Sequence, residues 1–120
     1  MRRTLTWMLI IVTAGMFLLA GSLKLAGVEM EVGLFAVIGI GQWFRYFTGV
    51  LEIGGAIGLF IEPAAPFAAL LLATIMVGAI MTHLFIAGGS PAVPIALLAS
   101  SLAIAWLRRE RSRSRRAIPA

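Results

Sequence analysis

Two opposite charges stand in the apolar stretch RYFTGVLEIGGAIGLF, which runs from Arg45 to Phe60. A stretch of this composition is typical of a membrane-spanning helix, in which a charged side chain is costly. At 1.5 Å per residue, Glu52 lies about 14 Å below the start of such a helix, near the middle of a bilayer roughly 30 Å thick. Because Glu52 cannot easily reach water from that depth, its position favours a proton-handling group or an essential ion pair.

Three further ionisable side chains lie in apolar runs: Lys24, Arg45 and His83. Helical side chains point toward their own N-terminus, so Lys24 and His83 lean toward the level that Glu52 reaches from the neighbouring helix. We therefore expect Lys24, rather than Arg45, to be the close partner of Glu52, with His83 as a nearby proton relay. A purely structural role stays open for Lys24 and Arg45, which are near enough to the membrane surface to extend into it, and for His83, which can cap its helix.

The composition places the chain among integral membrane proteins. Hydrophobic residues make up 61% of it and charged residues 12%, about half the charged fraction of a soluble domain, and the mean hydropathy is +1.02. The absence of cysteine excludes disulfides and thiolate chemistry, and one histidine with five acidic residues argues against a metal site. The sequence has no phosphate-binding motif, and its net charge of +5 comes mostly from the chain ends, so we expect no nucleic-acid partner.

Four long apolar runs predict an all-α, integral membrane four-helix transmembrane bundle over residues 1–107. The predicted helices cover about residues 5–26, 43–61, 66–87 and 92–107. Residues 108–120 form a basic tail. The apolar, glycine-containing segment 28–42 is interpreted as interfacial or re-entrant, and the alternative is that the second helix begins near Gly33.

Small residues recur on the second and third predicted helices, and small residues let membrane helices approach closely. We expect them to pack the helices around a polar pocket that opens to the outer side. The residues assigned to helix packing are Gly49, Gly54, Gly55, Gly58 and Gly78.

Basic residues cluster at the two chain ends, with Arg2 and Arg3 before the first helix and six arginines after Leu107. The positive-inside rule places both termini in the cytoplasm of a multi-pass protein of the cell (inner) membrane, which requires an even number of spans. Two alternatives stay open. One is that the first helix is a signal peptide that is cleaved at Ala20–Ser22. The other is that the arginine tail binds RNA or anionic lipid instead of serving only as an anchor at the inner leaflet.

Several motifs resemble those of the DoxX-like family of small four-helix membrane proteins, over nearly the whole chain. They are GSLKLAG at the end of the first helix, the pattern R…G..E..GA..L from Arg45 to Leu59, and MVGAIMTHLF on the third helix. Some members look like the quinone-side subunit of thiosulfate:quinone oxidoreductases, others are linked to redox complexes, and animal relatives act as assembly chaperones. The resemblance implies a polar pocket of Lys24, Arg45, Glu52 and His83, which we assign to ligand binding, and it implies no cofactor ligand. We expect no covalently bound cofactor, and a quinone is the ligand of the first hypothesis below.

Three functions follow as hypotheses for a chain embedded in the lipid bilayer. The first is a quinone-interacting oxidoreductase subunit that works with a redox partner protein, in which Glu52 and His83 handle protons and no residue is assigned a catalytic role. The second is a non-catalytic scaffold or assembly factor held together by the polar cluster. The third, ranked lowest, is a small proton-coupled exporter, because the key glutamate of that class sits on the first helix whereas this first helix carries Lys24.

Overall fold

The computed structural model of the protein describes residues 2–117, with side chains described over residues 3–110. This part of the chain is helical and contains no strand. The five helices are α1 (Arg2–Ala26), α2 (Glu29–Ile38), α3 (Trp43–Gly58), α4 (Ala65–Thr82) and α5 (Ala92–Ala117), and α4 continues into a π-helical turn, His83–Ala87.

Helices α1, α3, α4 and α5 form a ring in which α1 packs on α3, α3 on α4, α4 on α5 and α5 on α1. Neighbouring helices run in opposite directions. Trp7 at the start of α1 stacks on Phe60 just after α3, with ring centroids 6.3 Å apart, and the Arg108 guanidinium of α5 lies 4.8 Å over the Trp7 ring. The start of α1 and the Arg108 region of α5 therefore meet at one end of the bundle, here called the Arg108 end; the opposite end is the Lys24 end.

The predicted all-α membrane bundle is confirmed. Helix α1, α4 with its π-helical turn, and α5 are each long and apolar enough to cross a membrane. Helices α2 and α3 pass the same test together, so the described part of the chain has three candidate membrane spans, or four if this bent pair forms one.

Segment 28–42 forms its own helix, α2, which is turned by 116° from α3. The alternative in which one helix runs on from Gly33 is wrong, because two glycines break the chain between α2 and α3. Gly39 has φ +86° and Gly41 has φ +105°, backbone conformations that side-chain-bearing residues rarely adopt. The Gly39 N–H donates to the Phe35 carbonyl oxygen at 3.2 Å and closes the last turn of α2.

Helix α5 does not end near Leu107, where the sequence predicts the end of the last membrane helix, but continues to Ala117. Arginine and glutamate are good helix formers, and no proline or glycine interrupts residues 108–117. The side chains of Arg111, Arg113, Arg115 and Arg116 lie outside the described residues, so the predicted roles of the arginine tail stay predictions.

Close contact between α1 and α3 depends on two glycines that face each other. A Cβ atom added to Gly21 would lie 2.8 Å from the Gly49 carbonyl oxygen, and one added to Gly49 would lie 3.0 Å from the Gly21 carbonyl oxygen. Both separations are too short for a real side chain. The two backbones therefore touch, as the packing assignment of Gly49 anticipates.

Of the other glycines assigned to helix packing, Gly55 and Gly58 contact α4, where an added Cβ would lie 2.8 Å from Leu72 and 2.9 Å from Ala68. Gly54 and Gly78 have nothing within 4 Å of an added Cβ, so neither makes a close helix contact within this chain, and their assignment to helix packing stays a prediction. One residue turns a helix by about 100°, which is why Gly54 points away from α4 while Gly55 faces it.

The packed core is concentrated toward the Arg108 end and reaches the middle of the bundle. Its largest fully buried side chains are Phe17 and Ile10 of α1, Leu59 just after α3, Leu72 of α4 and Ile104 of α5. Ile10, Leu59 and Ile104 belong to the helix segments near the Arg108 end, whereas Phe17 and Leu72 lie near the middle of their helices. The half near the Lys24 end is less completely filled and holds the polar side chains described below.

Arg45 ties three elements together at the Lys24 end. It is 5% exposed, and its guanidinium donates to the Lys24 carbonyl oxygen at the end of α1. Its Nε donates to Gln42 Oε1 at 2.8 Å, and Gln42 Nε2 donates in turn to the Val32 carbonyl oxygen of α2 at 3.1 Å. Arg45 therefore links α1, α2 and α3 through hydrogen bonds.

We expect Gly49→Leu to prevent normal folding, because overpacking typically costs about 1–3 kcal/mol and the side chain would force α1 and α3 apart. Gly54→Leu is the matched control, since it makes the same change on the same helix at a position that faces open space. Thermal unfolding of the purified proteins in detergent checks this. Equal destabilisation by the two variants would contradict the packing described here.

We expect Arg45→Lys to lower the free energy of unfolding by about 1–3 kcal/mol, because an ammonium group cannot keep the two-sided hydrogen bonding of the guanidinium. Arg109→Lys, at an exposed position of α5, serves as the control. Thermal unfolding measures the difference, and an unchanged midpoint for Arg45→Lys would show that the hydrogen bonds to α1 and α2 are dispensable.

Candidate functional site

A cavity of about 530 Å³ lies in the half of the bundle near the Lys24 end, within the size range of small-molecule sites. All five helices contribute to its wall. Most of the wall is apolar, including Phe35, Phe44, Phe47 and Met76. The polar side chains that line it are Lys24, Glu31, Thr48, Glu52, Thr82, His83 and Ser90.

Lys24 and Glu52 form a buried ion pair in the cavity wall. Lys24 Nζ lies 2.8 Å from Glu52 Oε1, and the Glu52 side chain is fully buried. The predicted pairing of Glu52 with Lys24 is confirmed. Each residue stands three positions after a glycine of the α1–α3 contact, Gly21 or Gly49, and in antiparallel helices the two side chains lean toward each other.

Glu31 is a third member of the cluster that the sequence reasoning missed. Its Oε1 lies 3.7 Å from Lys24 Nζ, and its side chain is 15% exposed. The sequence places Glu31 in a loop, whereas α2 turns back over the bundle and brings it to Lys24. The sequence did hold one signal: Glu31 is an acidic residue in an apolar segment, seven positions after Lys24. If the chain folds back after α1, such a residue can lie next to Lys24.

Two carboxylate oxygens of this cluster are buried without a hydrogen-bond partner among the described residues: Glu31 Oε2 and Glu52 Oε2. Buried polar atoms in folded proteins are nearly always hydrogen-bonded, so each exception requires an explanation. Both residues line the cavity, and a ligand atom placed there would supply the missing partner. Lys24 balances one of the two carboxylates, which leaves the cluster acidic when all three groups are ionised.

His83 lies at the start of the π-helical turn after α4 and also lines the cavity. Its Nδ1 is 2.8 Å from the Gly88 carbonyl oxygen. Single π-helical turns often occur at functional sites. The structure thus brings His83, Lys24 and Glu52 into the wall of one cavity, and proton relay between His83 and Glu52 stays a prediction.

Arg45 is not among the residues that line this cavity, and its assignment to the ligand pocket stays a prediction. The carbonyl groups at the end of α1 lack helical partners, and Arg45 is close enough to donate to one of them, that of Lys24. Gly78, by contrast, lines the cavity and makes no close helix contact within this chain. Lys24, Glu52 and His83 therefore remain as candidate ligand contacts from the sequence, with Glu31 added.

No curated protein and no solved structure matches the chain. The model of the DoxX-like family matches residues 8–107, which include all three remaining candidate contacts and Glu31. This match covers the membrane bundle from the first turns of α1 to the residue before Arg108. The chain therefore belongs to the DoxX-like family.

Proposed function

We propose that the protein is a small redox-linked membrane subunit that binds the head group of a quinone in the cavity beside Lys24 and Glu52. One observation carries this proposal. The fully buried Glu52 carboxylate is paired with Lys24 through one oxygen, while its other oxygen, in the wall of an apolar cavity, has no hydrogen-bond partner among the described residues.

The wall of the cavity suits a flat ring that carries polar groups at its edge. Phe35 and Phe44 line it with ring centroids 5.7 Å apart, in an edge-to-face arrangement. Aromatic and thioether side chains pack well against a ring, and the charged cluster lies on the same wall. Phe47 also lines the cavity and is 51% exposed, so the cavity wall reaches the apolar surface, where a lipid-like tail would leave.

The polar cluster offers the groups that quinone chemistry requires. Reduction of a quinone takes up two electrons and two protons. In this proposal Lys24 donates a hydrogen bond to a quinone oxygen, Glu52 and His83 exchange the protons, and a partner redox protein exchanges the electrons. The quinone is held by these non-covalent contacts.

A scaffold or assembly factor is the second candidate, and one specific observation favours it. Lys24 of α1 contacts Glu31 of α2 at 3.7 Å and Glu52 of α3 at 2.8 Å, so one ammonium group connects three helices. In that function the cluster would act as a clamp, and a partner protein would bind the apolar surface. The scaffold and the quinone subunit differ in whether a lipid-soluble molecule occupies the cavity.

The proposed location is the inner membrane, with the Arg108 end in the cytoplasm. Arg3 at the start of α1 and Arg108 and Arg109 of α5 belong to that end of the bundle, while the Lys24 end presents Glu29 on its exposed surface. Excess basic residues on the cytoplasmic side are the strongest orientation signal in membrane proteins.

Extraction of the protein, purified in mild detergent, should yield a quinone at near-stoichiometric amounts, identified by ultraviolet spectra and mass spectrometry. The folded fraction of Glu52→Gln should hold less of it, because the amide offers the ligand one acceptor oxygen instead of a carboxylate. Glu29→Gln makes the same change at an exposed position of α2 and should keep the quinone. A quinone-free parent, with Glu52→Gln aggregated, would instead support the scaffold.

The chain has no cysteine, so single cysteines report orientation without a background. We expect a membrane-impermeant maleimide to label Glu29→Cys in intact spheroplasts of a bacterial host, and to label Arg109→Cys only after the membrane is permeabilised. Both positions are exposed at opposite ends of the bundle. The reverse labelling pattern would place the cavity on the cytoplasmic side.

A further inference from the structure

We infer that the cavity binds the reduced, hydroxyl-bearing form of its ligand, a quinol, more tightly than the oxidised quinone. This inference rests on the proposed function and adds the redox form that the site selects. It follows from the direction of the hydrogen bonds in the cavity wall, where acceptors without partners outnumber free donors.

The two strongest acceptors are the unpartnered carboxylate oxygens, Glu31 Oε2 and Glu52 Oε2, both buried. An ionised carboxylate accepts hydrogen bonds and donates none. The Lys24 ammonium between them has three hydrogens. Its contact with Glu52, at 2.8 Å, engages one of them, whereas its contact with Glu31, at 3.7 Å, is an ion pair beyond hydrogen-bond distance. Two Lys24 hydrogens are therefore left for a ligand.

The two threonine hydroxyls in the wall have already used their hydrogens. Thr48 Oγ1 donates to the Phe44 carbonyl oxygen at 2.8 Å, and Thr82 Oγ1 donates to the Gly78 carbonyl oxygen at 2.8 Å. Each hydroxyl has one hydrogen, so what each has left for the cavity is lone pairs. Both threonines line the cavity as acceptors.

His83 follows the same pattern when its ring is neutral. The Gly88 carbonyl oxygen, 2.8 Å from Nδ1, only accepts, so Nδ1 carries the hydrogen. Nε2 of the neutral ring is then an acceptor. Ser90 is the exception among the hydroxyls, since its Oγ accepts from the Ala92 N–H at 3.2 Å and keeps its own hydrogen.

The two redox forms of the ligand differ in what they offer to such a wall. A quinone presents two carbonyl oxygens, which only accept, so they can pair with Lys24 and Ser90 but not with the carboxylates. A quinol presents two hydroxyl groups that donate to the carboxylates and still accept from Lys24. A hydrogen bond to a charged group is worth more than a neutral one, and an unsatisfied buried group is costly.

Selective binding of the quinol has a thermodynamic consequence for the couple. Tighter binding of the reduced form raises the midpoint potential of the bound couple above that of the free couple. For a two-electron couple, each tenfold ratio of dissociation constants corresponds to about 30 mV. The site would therefore favour electron transfer to the quinone.

Three ligands with the same short-tail benzoquinone skeleton test the inference: the quinone, its quinol and the dimethyl ether of the quinol. Dissociation constants are measured anaerobically by calorimetry with the full chain in detergent. We expect the quinol to bind at least about tenfold more tightly than the quinone, as expected for one charge-assisted hydrogen bond. The dimethyl ether has the ring but no O–H donor, and it should bind no more tightly than the quinone.

The carboxylate at position 52 should account for much of the preference. Glu52→Gln replaces an acceptor by an amide that also donates, so we expect the quinol-to-quinone preference to fall at least about threefold, whereas Glu29→Gln should leave it unchanged. The dissociation constants of the three ligands for the parent protein test the quinol preference even if Glu52→Gln does not fold.

Equal binding of the two redox forms, or tighter binding of the quinone, would overturn the inference and leave the proposed function standing. A dimethyl ether that binds as tightly as the quinol would also overturn it, because the preference would then not depend on O–H donation. If none of the three ligands binds, the proposed function and the inference both fall.

Discussion

The ion pair between Lys24 and Glu52 is the interaction on which the rest of the structure depends. A carboxylate withdrawn from water inside a membrane is costly, and an opposite charge in direct contact offsets that cost. Such contact requires α1 and α3 to touch, and they touch where Gly21 faces Gly49. The glycine contact and the ion pair therefore stabilise each other. Larger residues would separate the charges, loss of Lys24 would leave Glu52 buried without its charge partner, and loss of Glu52 would leave Lys24 with only the longer contact to Glu31. Helix α2 also contacts this ion pair through Glu31, and the cavity is lined by all three charged residues.

The two ends of the bundle differ in packing: the interior is filled toward the Arg108 end and encloses the cavity toward the Lys24 end. Near the Arg108 end, large side chains such as Ile10, Leu59 and Ile104 fill the interior, and Gly55 and Gly58 let α4 pack closely against α3. Near the Lys24 end, the same four helices enclose a cavity that α2 covers. That cover requires the chain to fold back on itself, and the left-handed glycines after α2 together with the hydrogen bonds of Arg45 hold it there. A packed half can support an open half because helices are stiff over their whole length.

Much of this arrangement could be predicted from the sequence, and the errors have physical causes. Apolar length gives the all-α bundle, and the tilt of helical side chains gives the pairing of Lys24 with Glu52. The hydrogen bond from Arg45 to the end of α1 could not be predicted, because direction along a helix does not show which backbone carbonyls lack partners. The open space beside Gly54 could not be predicted, because a spacing motif does not fix which side of α3 faces α4. Glu31 was missed because the path of a chain after a glycine break depends on packing that has no periodic signature in the sequence.

The state of the Glu52 carboxylate is what separates a clamp from a binding site. A side chain that served only to hold helices together would be expected to have both oxygens satisfied, since an unpaired buried oxygen weakens the structure it is meant to hold. Glu52 is bound through one oxygen, while the other lies without a partner on the wall of an apolar cavity, and Glu31 repeats the pattern on the other side of Lys24. Two such oxygens flanking one ammonium group could both accept hydrogen bonds from a donating ligand. This arrangement supports the proposal that the polar cluster is part of a ligand site and also links helices.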